Sequence, residues 1–177
     1  MCSKPGPVPL PKRVIEVPVN PTHSPRLLVT NDQYGEYVIL PHCWGKAGIA
    51  KLTTAVAVGR TAEYQVAVPP ATLPRSFADA IHMTRRLGYR SLWIDEICIV
   101  QDSKEDWAEE ALKMALYHGR SALMISATAA CDSNQGILVN RDVAHLPLLG
   151  KQRNYRLRKK LPSTQGDLNG SILALRA

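Results

Sequence analysis

"LPRSFADAIHMTRRLGYRSLWIDEICIVQD", residues 73–102, decides the fold class. Phe77, Ala80, Ile81, Thr84 and Leu87 recur at intervals of three and four, Pro74 suits a first helical turn and Gly88 ends the run, so a helix is expected here. Ser91 to Ile94 follow as a short, nearly continuous apolar run of the kind that a strand buried on both faces requires. Upstream, "EYVILPHCWG" (36–45) places another buried-type strand at 37–40, punctuated by Gly45. Downstream, a loop leads to a second helix from about Lys104 to His118, with Ser103 as its cap and Asp106 three residues on in a capping-box arrangement. "ALMISATA" (122–129) gives a third strand. Strand, helix, strand, helix, strand predicts an α/β fold, a parallel sheet flanked by helices and joined by right-handed crossovers. Ligands of such sheets gather beyond the carboxyl ends of the strands, which "PHCWG" and "DEICIVQD" occupy.

The margins read differently. Residues 1–33 carry Pro5, Pro7, Pro9, Pro11, Pro18, Pro21 and Pro25, which remove amide donors at short intervals, and predict an arm with one edge strand at 14–17. Residues 46–72 read as loop with a short strand near 66–68, and beyond about residue 150 the periodicity fades. The expected organisation is an arm over 1–33, a domain over 34–149 and an irregular basic tail over 150–177. The chain's net charge of +7 belongs almost wholly to that tail: residues 151–177 hold seven Lys or Arg and one Asp. Without a reading helix or an aromatic platform beside it, this charge does not point to nucleic acid. No apolar run approaches the roughly 20 residues that cross a bilayer, so no membrane association is expected. "MCSKPGPVPLPKR" lacks the apolar stretch of a signal peptide, and a cytoplasmic location follows as the expectation. Cys2, Cys43, Cys98 and Cys131 are too scattered for a metal site or disulfide framework and fit reduced thiols.

Seven of the fifteen carboxylates fall between Asp95 and Glu110. Asp106 and Glu109 suit the positive end of a helix dipole, a contribution of about 0.3–1 kcal/mol each. Glu110 shares a helix face with Trp107, Met114 and Tyr117, so it is drawn toward an apolar side where burial would raise its pKa. Asp95 ends the strand "SLWI", and either faces a ligand or caps the "DEIC" turn through backbone amides. Gln101 and Asp102 either meet a ligand or order their loop, and Trp44 beside Gly45 either stacks on a ligand ring or plugs the core. His42 cannot easily serve as base for Cys43, because neighbours on an extended segment point to opposite faces.

The segments "YVILPHCWG", "LPRSFADAIHMTRRLGYRSLWIDEICIVQD" and "DWAEEALKMALYHGRSALMISATAACDSNQGIL" resemble, in order and spacing, the successive motifs of the heterokaryon-incompatibility (HET) domain of filamentous fungi, over about residues 36–138. The resemblance implies a role in non-self recognition between strains, with growth arrest and cell death. It also implies a flavodoxin-like, three-layer fold similar to Toll/interleukin-1-receptor (TIR) domains, some of which hydrolyse NAD through a helix-borne glutamate. Glu110 on "DWAEEALKMALY" is the matching acid, and becomes the expected catalytic residue. Trp44, Gly45, Asp95, Gln101, Asp102 and Trp107 become the expected substrate-binding residues. NAD enters as substrate, with no resident cofactor and no metal, and a protein partner or self-assembly is implied. A carboxylate suits that chemistry because loss of nicotinamide leaves an oxocarbenium-like ribose.

The sequence departs from the family pattern in three places. Leu40, Pro41 and His42 stand where Leu-Ser-Tyr is usual, Glu96 replaces a small residue, and "LPLLGKQRNYRLRKKLPSTQ" stands where an Arg-Gly-Trp and Gln-Glu motif usually follows. These carry the alternatives: a non-enzymatic signalling or assembly module, or a truncated, inactive member.

Overall fold

A computed structural model describes residues 6–42, 64, 66–68, 73–127, 130 and 132–138. All of these but Leu138 belong to one compact unit, Met1–Ile137. Its strands are β1 (Val8–Pro9), β2 (Arg13–Glu16), β3 (Arg26–Val29), β4 (Tyr34–Gly35), β5 (Val38–Ile39), β6 (Ser91–Trp93) and β7 (Leu123–Met124). Its helices are α1 (Arg75–Arg86), α2 (Asp95–Cys98) and α3 (Lys104–Arg120).

The main sheet has five strands in the order β3-β2-β6-β5-β7, and β1 and β4 form a separate antiparallel pair. The three strands expected from the sequence do run parallel: Val38 and Ile39 of β5 face Leu92 and Trp93 of β6 on one side and Leu123 and Met124 of β7 on the other. The sheet as a whole is not parallel, and here the expectation is corrected. β2 pairs antiparallel with both β3 and β6, which makes the sheet mixed and not plainly flavodoxin-like. Segment 14–17, expected at an edge, lies inside the sheet. Its prolines explain how: Pro9, Pro11, Pro18, Pro21 and Pro25 fall outside β2 and β3, which contain no proline and so lose no ladder amide. The strand expected near 66–68 is absent; the Val68 amide makes one bond, to the Pro25 carbonyl at 2.7 Å.

The core gathers on the central strands. Val14, Ile15, Tyr37, Val38, Ile39, Leu40, Leu92 and Ile94 are wholly enclosed, each contributing on the order of 1.5–3 kcal/mol where a large aliphatic or aromatic side chain leaves water. Helix α1 packs on β6 and buries Phe77, Ala80, Ile81 and Thr84, four of the five residues of the predicted stripe; Leu87, at its end, is half exposed. The start of α1 is tied to residues 132–137. The Ser133 carbonyl accepts from both the amide and the hydroxyl of Ser76, and Asp79 accepts from the Ile137 amide at 2.8 Å. Gly136 makes this approach feasible: its φ is +75°, and a Cβ there would lie 2.8 Å from the Asp79 carboxylate. Helix α3 begins as predicted at Ser103, whose hydroxyl accepts from the Asp106 amide at 3.2 Å. Only Glu110 and Tyr117 of its seventeen residues are buried, so α3 lies on the surface and touches the core through a narrow line.

Candidate functional site

Two charged clusters flank the short helix α2. The first surrounds Glu110. Asp106 accepts from Lys12 at 2.9 Å, from the Arg13 guanidinium and from the Val100 amide at 2.9 Å, while Arg13 also donates to the Cys98 carbonyl at 2.6 Å. The capping box predicted for Asp106 is therefore only half formed. Ser103 caps the helix, but the Asp106 carboxylate turns away to hold Arg13. Burial opposes ionisation of Asp106, yet bonds from Lys12, Val100 and Arg13 prevail and keep it below the usual carboxylate range. Glu109 joins Lys113 at 2.7 Å and Lys12 at 2.8 Å, and these two lysines hold it at about 2.

Glu110 itself is entirely shut from solvent. The Tyr117 hydroxyl donates to its two oxygens at 3.1 and 3.3 Å, and Lys113 stands 3.6 Å away. Burial raises its pKa against the lowering effects of Tyr117, Lys113 and Arg13. The Tyr117 ring packs on Trp93 at 5.5 Å, and the Tyr117 carbonyl accepts from the Tyr37 hydroxyl at 2.6 Å. Glu110 thus faces the core as the spacing predicts, and it is surrounded there by side chains that seal it. A cavity of about 410 Å³ opens beside this cluster, lined by Leu10, Lys12, Val29, Lys113, Tyr117 and Arg120 among others, and Glu110 does not reach it.

The second cluster lies at the carboxyl ends of the adjacent parallel strands β5 and β6. His42, three residues past β5, has its Nε2 3.1 Å from Glu96 and its Nδ1 3.4 Å from Asp95. The imidazole and the Glu96 carboxylate are each only 1% exposed, whereas Asp95 is 22% exposed. The Phe77 ring of α1 meets the imidazole edge-on at 4.7 Å, which fixes its plane. Asp95 opens α2 and accepts from the Glu96 amide at 2.9 Å, so it does cap the "DEIC" turn, while it also faces His42. Gln101 orders the same loop by donating to the carbonyls of Asp95 and Ile99 at 2.9 and 3.1 Å.

Of the residues expected to bind substrate, Asp95 and Gln101 are brought together. Asp102 is exposed in the turn before α3, and Trp107 is half exposed on that helix. Trp44 and Gly45, with Cys43, lie outside the described residues. Cys98 lies between the clusters, wholly buried, and burial pushes its thiol up to about 12, which removes it as a nucleophile near neutrality. In the sequence His42 stands out as an unfavourable base for Cys43 and, like Glu96, as a departure from the family pattern. Their spacing from strand ends held the signal, since each follows a buried run by two or three residues.

The imidazole and its two carboxylates stand at the carboxyl ends of the parallel strands of a mixed α/β sheet, the end at which open α/β sheets generally hold ligands. The chain belongs to the heterokaryon incompatibility protein (HET) family, whose model matches residues 37–172. That match begins at β5 and takes in α1, β6, α2, α3 and β7. Neither a curated protein nor a solved structure matches the chain. Among the described residues no helix is long and apolar enough to cross a membrane.

Proposed function

We propose that this chain acts in non-self recognition between fungal strains, where its activation stops growth and kills the fused cell, and that it does so by cleaving NAD beyond the carboxyl ends of β5 and β6. The observation that supports this reading is the partly exposed Asp95 carboxylate, backed by His42 and Glu96, at the end of the sheet where α/β domains bind ligands. A fixed negative group in a partly dry recess stabilises the ribosyl cation left by nicotinamide better than water does. Purified full chain incubated with NAD is expected to release nicotinamide; absence of release from folded protein at high concentration removes the reading.

A second reading, a non-enzymatic assembly module, is favoured by the outer face of α3. Leu112 is 87% exposed, and Leu116, one turn further along the same face, is about half exposed. Large apolar groups left in water on a helix mark a surface that a protein partner covers. On this reading the chain self-associates with rising concentration and Leu112→Lys abolishes the association. Sedimentation of the two proteins across a wide concentration range checks it, and a wild type that stays monomeric throughout counts against it.

A further inference from the structure

The cluster at the strand ends has an order that the family match does not explain. Glu96 is closed off, His42 is closed off, and Asp95 alone opens toward solvent. The His42 Nδ1 is buried and makes no hydrogen bond to a described residue, although it lies 3.4 Å from the Asp95 carboxylate. A buried ring nitrogen without a partner is a costly arrangement for a structural histidine, and an ordinary one for an imidazole poised to exchange a proton with its neighbour.

Resting on the NAD reading above, we infer that Asp95, and not Glu110, is the catalytic carboxylate, with His42 and Glu96 as its positioning residues. Glu96 engages Nε2 at 3.1 Å and so fixes the imidazole's orientation, with Nδ1 left 3.4 Å from Asp95. Asp95 stands beside the ribose C1 and accepts a proton from the attacking water. The oxygen of that water forms the new bond to C1, the C1–N bond breaks with its electron pair going to the nicotinamide nitrogen, and the proton leaves Asp95 by way of Nδ1. NAD and water give nicotinamide, ADP-ribose and one proton. Glu110, sealed beneath Tyr117 and Lys113, contacts no substrate in this scheme.

The test uses the full chain in two independent measurements. In the first, nicotinamide release is followed for wild type, Asp95→Asn, His42→Asn and Glu110→Gln. Asp95→Asn is expected to lower kcat by about 100-fold or more, and His42→Asn to lower kcat with KM near the wild-type value. Release that survives Asp95→Asn, or a loss confined to Glu110→Gln, overturns the inference while leaving the NAD reading intact. The second needs no substrate: ring-nitrogen NMR of the five histidines in wild type and Asp95→Asn. One Nδ1 signal is expected to move and the other four histidines to stay. Unmoved signals overturn the inference whatever NAD does, since they show His42 and Asp95 uncoupled. A moved signal without nicotinamide release from wild type supports the His42–Asp95 couple and overturns the NAD reading instead.

Discussion

Glu110 shows how a helical spacing carries the burial of a single charged residue. Its place on a face with Trp107, Met114 and Tyr117 predicted burial, and the carboxylate is buried; the predicted consequence, a raised pKa, also holds. That raised value has a direct effect on stability. Below the ordinary value of 4.5 Glu110 is protonated in both the folded and the unfolded chain and costs nothing. As pH climbs from there through the raised folded-state value, the unfolded chain loses its proton first, so stability falls until the folded state ionises as well. Glu110→Gln keeps an acceptor for the Tyr117 hydroxyl and carries no charge to bury. It is expected to match or exceed wild type in stability at neutral pH and to remove that decline. Glu110→Ala, which strands the Tyr117 hydroxyl, is expected to cost about 1–3 kcal/mol. Urea melts of the three proteins between pH 4 and 8 check both statements; parallel pH profiles for wild type and Glu110→Gln would show that another group sets the slope.

Elements repeat the lesson with different physics. Helices α1 and α3 were legible because their signals are local: a stripe at intervals of three and four, a proline at the start, a serine cap. The parallel strands were legible because apolar runs of that length have few other uses. Strand β2 was only half legible. Val14 and Ile15 read as strand, but its interior position depends on pairing with Ser91 and Leu92, more than seventy residues away, and no local pattern records that. The same limit hid the second cluster, since His42 and Glu96 meet only once β5 and β6 lie side by side. Local signals, for their part, make firm predictions. Ser103 caps α3 through its hydroxyl, so Ser103→Ala is expected to destabilise the protein by about 0.5–2 kcal/mol, and Ser103→Asp to restore most of the loss by supplying another acceptor at the helix's positive end. Thermal melts of the two variants decide this; a loss that Asp fails to restore would assign the effect to the hydroxyl's contact with Glu105.

At the scale of the whole molecule, the family's boundary and the sheet's boundary do not coincide. The HET match starts at residue 37, at the threshold of β5, while the sheet continues through β6 into β2 and β3. Removing residues 6–33 would uncover one edge of β6 and with it Leu92, which is fully enclosed. It would also delete Val14, Ile15, Val17 and Leu27 from the core, each worth about 1.5–3 kcal/mol of burial. Arg13 and Lys12 would go too, leaving Asp106 without the cations that hold α3 against the sheet and hold its pKa down. Since the net stability of a domain is about 5–15 kcal/mol, losses of this size are comparable with the whole of it. A chain beginning at residue 34 is therefore expected to lack a cooperative thermal transition and to exchange its β6 amides without protection, whereas the full chain melts cooperatively and protects them. A shortened chain that still melts sharply, with β6 protected, would mean that β5, β6 and β7 form a self-sufficient parallel core and that the N-terminal strands are an addition to it.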